Sequence, residues 1–117
     1  MLGRALANLL RNAVRYSSDD SGPIEVVAQR QGEHIVLQVR DRGPGVPEAA
    51  LPRLGEPFFR IDASRSRESG GFGLGLAMVK RCVEACEGAV VFRNREGGGF
   101  EAEITLRDAR RGRKVAE

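Results

Sequence analysis

The chain has 117 residues, 41% of them hydrophobic and 30% charged, with a formal net charge of +3. That describes one soluble globular domain with a single sizeable core and excludes a second domain or an intrinsically disordered chain. No run approaches the ~20 apolar residues of a membrane span, and the N-terminus has no signal-peptide apolar stretch, so the sequence reads as cytosolic in character. The basic excess sits largely in Arg107, Arg110, Arg111, Arg113 and Lys114, a solvated tail. No alternation of basic and aromatic residues accompanies it, which argues against nucleic acid as a partner.

Leu2, Leu6, Leu9, Leu10 and Ala13 recur at helical spacing and predict an amphipathic helix over residues 2–16, with Arg4, Asn8, Arg11, Asn12 and Arg15 on its other face. Asn8 and Asn12 lie one turn apart, so their amides project together. The turn residues from Ser17 to Pro23 end the helix. Ile24 to Arg30 reads as a strand, Gln31-Gly32-Glu33 as a tight turn, and the alternation of Ile35, Leu37 and Val39 as a second strand that stops at Asp41. Arg42-Gly43-Pro44-Gly45-Val46-Pro47 cannot continue it, because proline removes backbone donors. Asp41 thus closes a strand where a carboxylate can face a cavity, with glycines beside it that leave room for a flat ring.

Pro47 to Leu54 predicts a short helix with proline at its first turn. The segment from Ile61 to Ser69 is polar and without steady periodicity, which suggests a mobile loop. Four glycines then crowd into Gly70 to Gly75 and run directly into a helical pattern of Leu76, Val79 and Val83, with Ala77 and Met78 beside it, to about Cys86. A glycine loop that opens a helix can turn N–H groups toward an anion, although such spacing also occurs in plain turns. It is not a P-loop, since no Lys-Ser or Lys-Thr follows, nor a dinucleotide fingerprint, since no strand leads into it. Gly88 is a natural cap, Ala89 to Asn94 a strand, Glu96 to Gly99 a turn, and Phe100, Ala102, Ile104 and Leu106 alternate as a last strand.

Cys82 and Cys86, four apart on a helix, predict two reduced, half-buried thiols rather than a disulfide. His34 is the sole histidine, so no metal site of His and Cys ligands is expected, and its place after a tight turn predicts an edge or solvent-facing position.

Asn8-Leu9-Leu10-Arg11-Asn12-Ala13, Asp41-Arg42-Gly43-Pro44-Gly45, Pro57-Phe58-Phe59-Arg60 and Gly71-Phe72-Gly73-Leu74-Gly75-Leu76 resemble, in order, the N, G1, F and G2 boxes of sensor histidine kinases. The resemblance covers roughly residues 2–106 and is closest to envelope-stress sensor kinases, given Arg15-Tyr16-Ser17 after the first box and Arg67-Glu68-Ser69-Gly70-Gly71 before the last. It implies the α+β two-layer ATP-binding fold shared with gyrase, Hsp90 and MutL, a mixed β-sheet backed by helices with a mobile ATP lid. The domain would span residues 1–107, with 108–117 a basic flexible tail.

Carried over position by position, the resemblance implies that Asn12 binds Mg²⁺ through its amide oxygen, a hard ligand for a hard cation, and that Asn8 supports the phosphate end of the site. Asp41 would accept from the adenine amine, with Gly43 and Gly45 letting the backbone approach the base and Tyr16 packing near the nucleotide. Arg15 stands where many relatives have Lys, and would reach phosphate oxygens as a fork rather than a point charge. Arg60 and Arg65, in a lid from Phe58 to Gly70, are candidates for the γ-phosphate. Gly71, Gly73 and Gly75, with Leu76, would form the phosphate cradle. Phe72 replaces the small residue, often Thr, that relatives carry.

The implied activity is binding of Mg·ATP and donation of its γ-phosphate to a histidine on a separate dimerisation domain, with a response regulator downstream. The full-length protein would be a dimeric inner-membrane sensor and this piece its cytoplasmic domain. The phosphoacceptor helices, and the strand and part of the helix expected before the N box, are not in this sequence, so a domain fragment is expected, inactive in autophosphorylation by itself. Two other readings stand beside it. One is an ATP hydrolase or anti-sigma-type serine-protein kinase of the same superfamily, which would place Glu where Asn8 stands. The other is a non-catalytic module, against which the presence of Asn12 and Asp41 counts.

Overall fold

The computed structural model describes residues 2–17, 22–59 and 75–107. Their elements are helix α1 (Leu2–Tyr16), strands β1 (Glu25–Gln31) and β2 (His34–Arg40), a 3-10 helix (Glu48–Arg53), helix α2 (Gly75–Ala85), and strands β3 (Ala89–Asn94) and β4 (Phe100–Arg107). Residues 60–74 and 108–117, which hold most of the expected lid and glycine cradle and the whole expected tail, lie outside the described residues.

The α+β architecture is as expected, but the sheet is not mixed: its order is β1-β2-β4-β3 and every neighbouring pair among the described residues is antiparallel. The reason is local. Each strand pairs with its chain neighbour through a tight turn, Gly32–Glu33 in the first hairpin and Arg95–Gly99 in the second, and the hairpins join along β2 and β4. The first turn is one residue shorter than predicted, since Gln31 already pairs with His34.

One face of this sheet carries the helices. The core between them is Ala5, Leu9 and Ala13 of α1, Val79, Cys82 and Val83 of α2, and Val39, Ala102 and Ile104 of the two central strands. Leu10 departs from the predicted apolar stripe and is 39% exposed. One residue advances a helix by about 100°, so a stripe that buries Leu9 turns Leu10 away, and the small Ala5 takes the closest approach instead. The two cysteines also differ from expectation: Cys82 is buried and Cys86, one residue past the end of α2, is exposed, rather than both being half-buried. His34 is exposed on β2, as expected.

The other face of the sheet is polar and tied by charge. Glu101 is only 7% exposed, and it accepts from Arg40 Nε at 2.9 Å and from Arg93 Nη1. Glu103 accepts from Gln38 Nε2 at 2.7 Å and from Arg93 Nη2 at 3.2 Å. A buried carboxylate is tolerated when such partners replace its water. Those bonds, from Gln38 first and Arg93 next, hold the Glu103 carboxyl below the usual glutamate range, and the bond to Glu103 is the main reason the Arg93 guanidinium is pushed higher still.

Helix α2 ends in two backbone hydrogen bonds: Glu87 N–H donates to Glu84 O at 2.9 Å and Gly88 N–H to Val83 O at 2.9 Å. Glu87, with φ +61°, takes the left-handed position that the sequence assigns to Gly88. Gly88 is needed for room, because a Cβ there would fall 2.6 Å from Thr105 O.

Candidate functional site

The loop after β2 folds back against the end of α1. Asp41, the first residue past the strand, donates its N–H to Phe100 O at 2.9 Å and so stays locked to β4. Its side chain is inside: Asp41 is 4% exposed. Oδ1 accepts from Gly43 N–H at 2.8 Å and from Phe100 N–H at 3.2 Å. Oδ2 accepts nothing among the described residues, which leaves it to accept a hydrogen bond from a ligand.

Gly43 lies where only a hydrogen fits. A Cβ there would collide with the Tyr16 carbonyl oxygen, so the loop and the last turn of α1 are in backbone contact. Gly45, at φ +74°, combines a left-handed backbone with a close neighbour, Asn94 Oδ1, 2.7 Å from where its Cβ would stand. The glycines thus allow close backbone approach beside a buried acceptor, chemistry that can receive an amino-substituted heterocycle.

From α1, Asn8 and Asn12 are half-buried, whereas Arg15 and Tyr16 are exposed. Asn8 Nδ2 donates to Met78 Sδ at 3.2 Å, which ties α1 to α2 and spends one of its donors. Asn12 stands one turn on, toward Tyr16. Gly75 opens α2 and is exposed, and Leu76 packs on the core cluster. The structure therefore brings Tyr16 and Gly43 into contact, sets Asp41 against Gly43, and gathers Asn8 and the first turns of α2 around the same helix. Arg60, Arg65, Gly71 and Gly73 lie outside the described residues. Among the described residues no group of three or more His, Cys, Asp or Glu could hold a metal ion. The F box is described as far as Phe59, which lies under Arg53, the guanidinium carbon 4.4 Å from the ring centroid. Phe58 has φ +67° and is 70% exposed.

Four residues bear on this site that sequence reasoning did not single out. Asn94 Nδ2 donates to Val46 O and to Glu48 Oε2, both at 2.8 Å, and its Oδ1 accepts from Val46 N–H at 2.8 Å. Arg95 Nη1 donates to Asp41 O at 3.1 Å, and its Nη2 meets Glu25 Oε1 at 3.2 Å. Arg42 Nη1 donates to Gly98 O at 3.1 Å. Ser17 Oγ, just past Tyr16, is enclosed and unpaired among the described residues. The signal available in the sequence was a polar run, Arg93-Asn94-Arg95, entering a glycine turn, which reads equally well as a solvated strand end.

Known proteins share this fold. The profile of the family described as histidine kinase-, DNA gyrase B- and HSP90-like ATPase matches residues 1–110. The sensor protein PfeS of Pseudomonas aeruginosa is 40% identical over 97 residues, which is 83% of this chain and 21% of that protein. The chain thus spans about a fifth of the length of such a relative. Among solved structures, the mycobacterial sensor histidine kinase MprB superposes with a TM-score of 0.79 at 34% identity, over 90% of this chain and 70% of that one. Full-length ShkA, solved in complex with AMPPNP, gives 0.72 at 31% identity, over 88% of this chain and 20% of that one. The boxes read from the sequence and the helix-backed sheet agree with these findings: the chain belongs to the histidine kinase-, DNA gyrase B- and HSP90-like ATPase family and resembles the catalytic part of sensor histidine kinases.

Proposed function

We propose that residues 1–107 are the ATP-binding catalytic domain of a two-component sensor histidine kinase, which binds Mg·ATP and presents the γ-phosphate to a histidine on a separate dimerisation domain. The observation that carries this reading is Asp41: a buried carboxylate with one oxygen pinned by two backbone N–H groups and the other left for a ligand. An oxygen in that state accepts from the 6-amino group of adenine and repels the carbonyl that guanine carries at the same position, so with the ring held in one orientation by the glycine loop it favours adenine over guanine. The AMPPNP in the ShkA complex, a protein 31% identical to this chain, supports ATP as the ligand.

The remaining roles follow the geometry of α1 and α2. Asn12 would give one oxygen to Mg²⁺, which commonly takes one or two protein ligands and completes its shell with phosphate and water. Asn8, fixed by Met78, would sit with its amide oxygen toward the same end, and Arg15 would reach phosphate oxygens from the exposed rim. Tyr16 would flank the nucleotide. Gly75 and Leu76 would place the N-terminus of α2 near the phosphates, with Gly71 and Gly73 before them and Arg60 and Arg65 from the lid. Bound Mg²⁺ would supply charge neutralisation. The acceptor imidazole is a competent nucleophile, so this chain has to position and neutralise rather than provide a strong base. Its cytoplasmic placement in a dimeric, membrane-anchored sensor, with a response regulator downstream, belongs to the same proposal.

Asn8 separates this reading from an ATP hydrolase or serine-protein kinase. A neutral amide whose nitrogen already donates to Met78 cannot deprotonate water or a hydroxyl. The test is to mix the chain with a separately produced dimerisation domain carrying the acceptor histidine and γ-labelled ATP. Label is expected on that histidine only when both are present. Absence of label with every such domain tried, or hydrolysis by the chain alone at ordinary enzyme rates of about 1–10³ s⁻¹, would overturn it.

A further inference from the structure

We propose that Asn94, at the exit of β3, is a positioning residue for the base pocket: its amide sets the Gly43–Val46 backbone against Asp41 and thereby governs affinity for the base but not for the phosphates. The inference rests on the nucleotide-binding reading above. Its basis is a set of bonds that no strand end needs. The Asn94 amide meets both polar groups of the Val46 backbone, accepting from its N–H and donating to its C=O, each at 2.8 Å. The remaining amide hydrogen goes to Glu48 Oε2 at 2.8 Å, at the first turn of the 3-10 helix. One side chain thus fixes the position and orientation of a loop 48 residues away in sequence.

A second observation points the same way. The Asn94 Oδ1 atom occupies the space where a side chain on Gly45 would begin, 2.7 Å from the Cβ position, and Gly45 has a left-handed backbone. Asn94 therefore does more than satisfy Val46: it fills the wall behind the loop and selects one backbone path between Asp41 and Pro47. The adjacent residue secures the other end of that path, with Arg95 Nη1 on the Asp41 carbonyl at 3.1 Å. Asp41 itself is fixed by β4 and needs no help from Asn94. What Asn94 controls is the distance between the Gly43–Gly45 backbone and a ring held on Asp41 Oδ2.

The phosphate-binding candidates among the described residues lie elsewhere, on α1 and at the start of α2, and none of these is in hydrogen-bond contact with Asn94. The test compares ligands on the full 117-residue chain. Calorimetry with ADP and, separately, with inorganic tripolyphosphate, both with Mg²⁺, is run on the wild type and on Asn94→Ala. The expected result is an ADP affinity about tenfold lower with tripolyphosphate affinity unchanged, since loss of positioning bonds of this kind is felt at about that level. Equal losses for both ligands, or no loss for ADP, would overturn the assignment. Should Asn94→Ala not fold, Asn94→Asp keeps the shape and the acceptor for Val46 N–H but opposes Glu48. Its ADP affinity is expected to fall and to recover in part when Glu48→Gln is added, and the absence of both effects refutes the proposal. A wild-type chain that binds tripolyphosphate but not ADP would instead sink the adenine reading on which the proposal stands.

Discussion

The backbone N–H of Gly43 donates to Oδ1 of Asp41 over 2.8 Å, and Phe100 N–H reaches the same oxygen at 3.2 Å. One oxygen of this carboxylate is therefore structural and the other is available. Asp41→Asn, with its amide oxygen kept at the structural position, is expected to fold nearly as the wild type while turning the available acceptor into a donor. ADP affinity should fall by about 1–3 kcal/mol, roughly five- to 150-fold. Asp41→Ala should in addition lose stability, about 1–3 kcal/mol for each N–H left unpaired. Denaturant unfolding and calorimetry on the two variants separate the roles.

Gly43 meets backbone rather than side chain, so its neighbour cannot rotate away. Gly43→Ala should destabilise the chain by about 1–3 kcal/mol through overpacking between the loop and the last turn of α1. Gly3, in the first turn of α1 with nothing within 4 Å of its Cβ position, is the control. Gly3→Ala should be neutral or stabilising by up to about 1 kcal/mol. Equal effects of the two substitutions in thermal unfolding would contradict the contact with Tyr16.

Glu103 links stability to acid. Its folded pKa is lowered, so the stabilisation it contributes is present above the pKa of the unfolded chain, about 4.3, and is lost as pH falls through the lower folded value. Glu103→Gln removes that dependence. The wild type should be the more stable of the two at pH 6–8, and the gap should close below about pH 4. A gap that stays constant across this range would show that the bonds from Gln38 and Arg93 carry no charge dependence.

Asn12 provides the proposed Mg²⁺ ligand, and the described residues hold no acidic cluster to replace it. In Asn12→Ala, binding of a non-hydrolysable ATP analogue should become insensitive to Mg²⁺, whereas in the wild type chelation of the metal should weaken it. Mg²⁺ stimulation that survives in Asn12→Ala would remove Asn12 from that role.

What the sequence made legible was periodic or local. Period two in Phe100, Ala102, Ile104 and Leu106 placed one face of β4 in the core, and the four-residue spacing of Ala5, Leu9 and Ala13 is visible beside the leucines that drew more attention. Gly43 and Gly45 stood out because turns and close approaches select glycine. What remained hidden depends on distant parts of the chain meeting. Glu101 reads as a solvent-facing strand residue, and only the arrival of Arg40 and Arg93 on either side explains its burial. Asn94 and Arg95 gain their meaning from partners 48 and 54 residues away. The left-handed Glu87 was hidden for another reason: a glycine next to it offered a more ordinary cap.

On the proposed function, Asp41 and the glycine loop bind the adenine of an ATP complexed with Mg²⁺. The most direct measurement is calorimetric titration of the wild-type chain with a non-hydrolysable ATP analogue and Mg²⁺, beside the guanine counterpart and the Asp41→Asn variant. One site per chain is expected for the adenine nucleotide, with much weaker binding of the guanine nucleotide and of either ligand to the variant. No binding at millimolar adenine nucleotide, or equal affinity for the two bases, would contradict it.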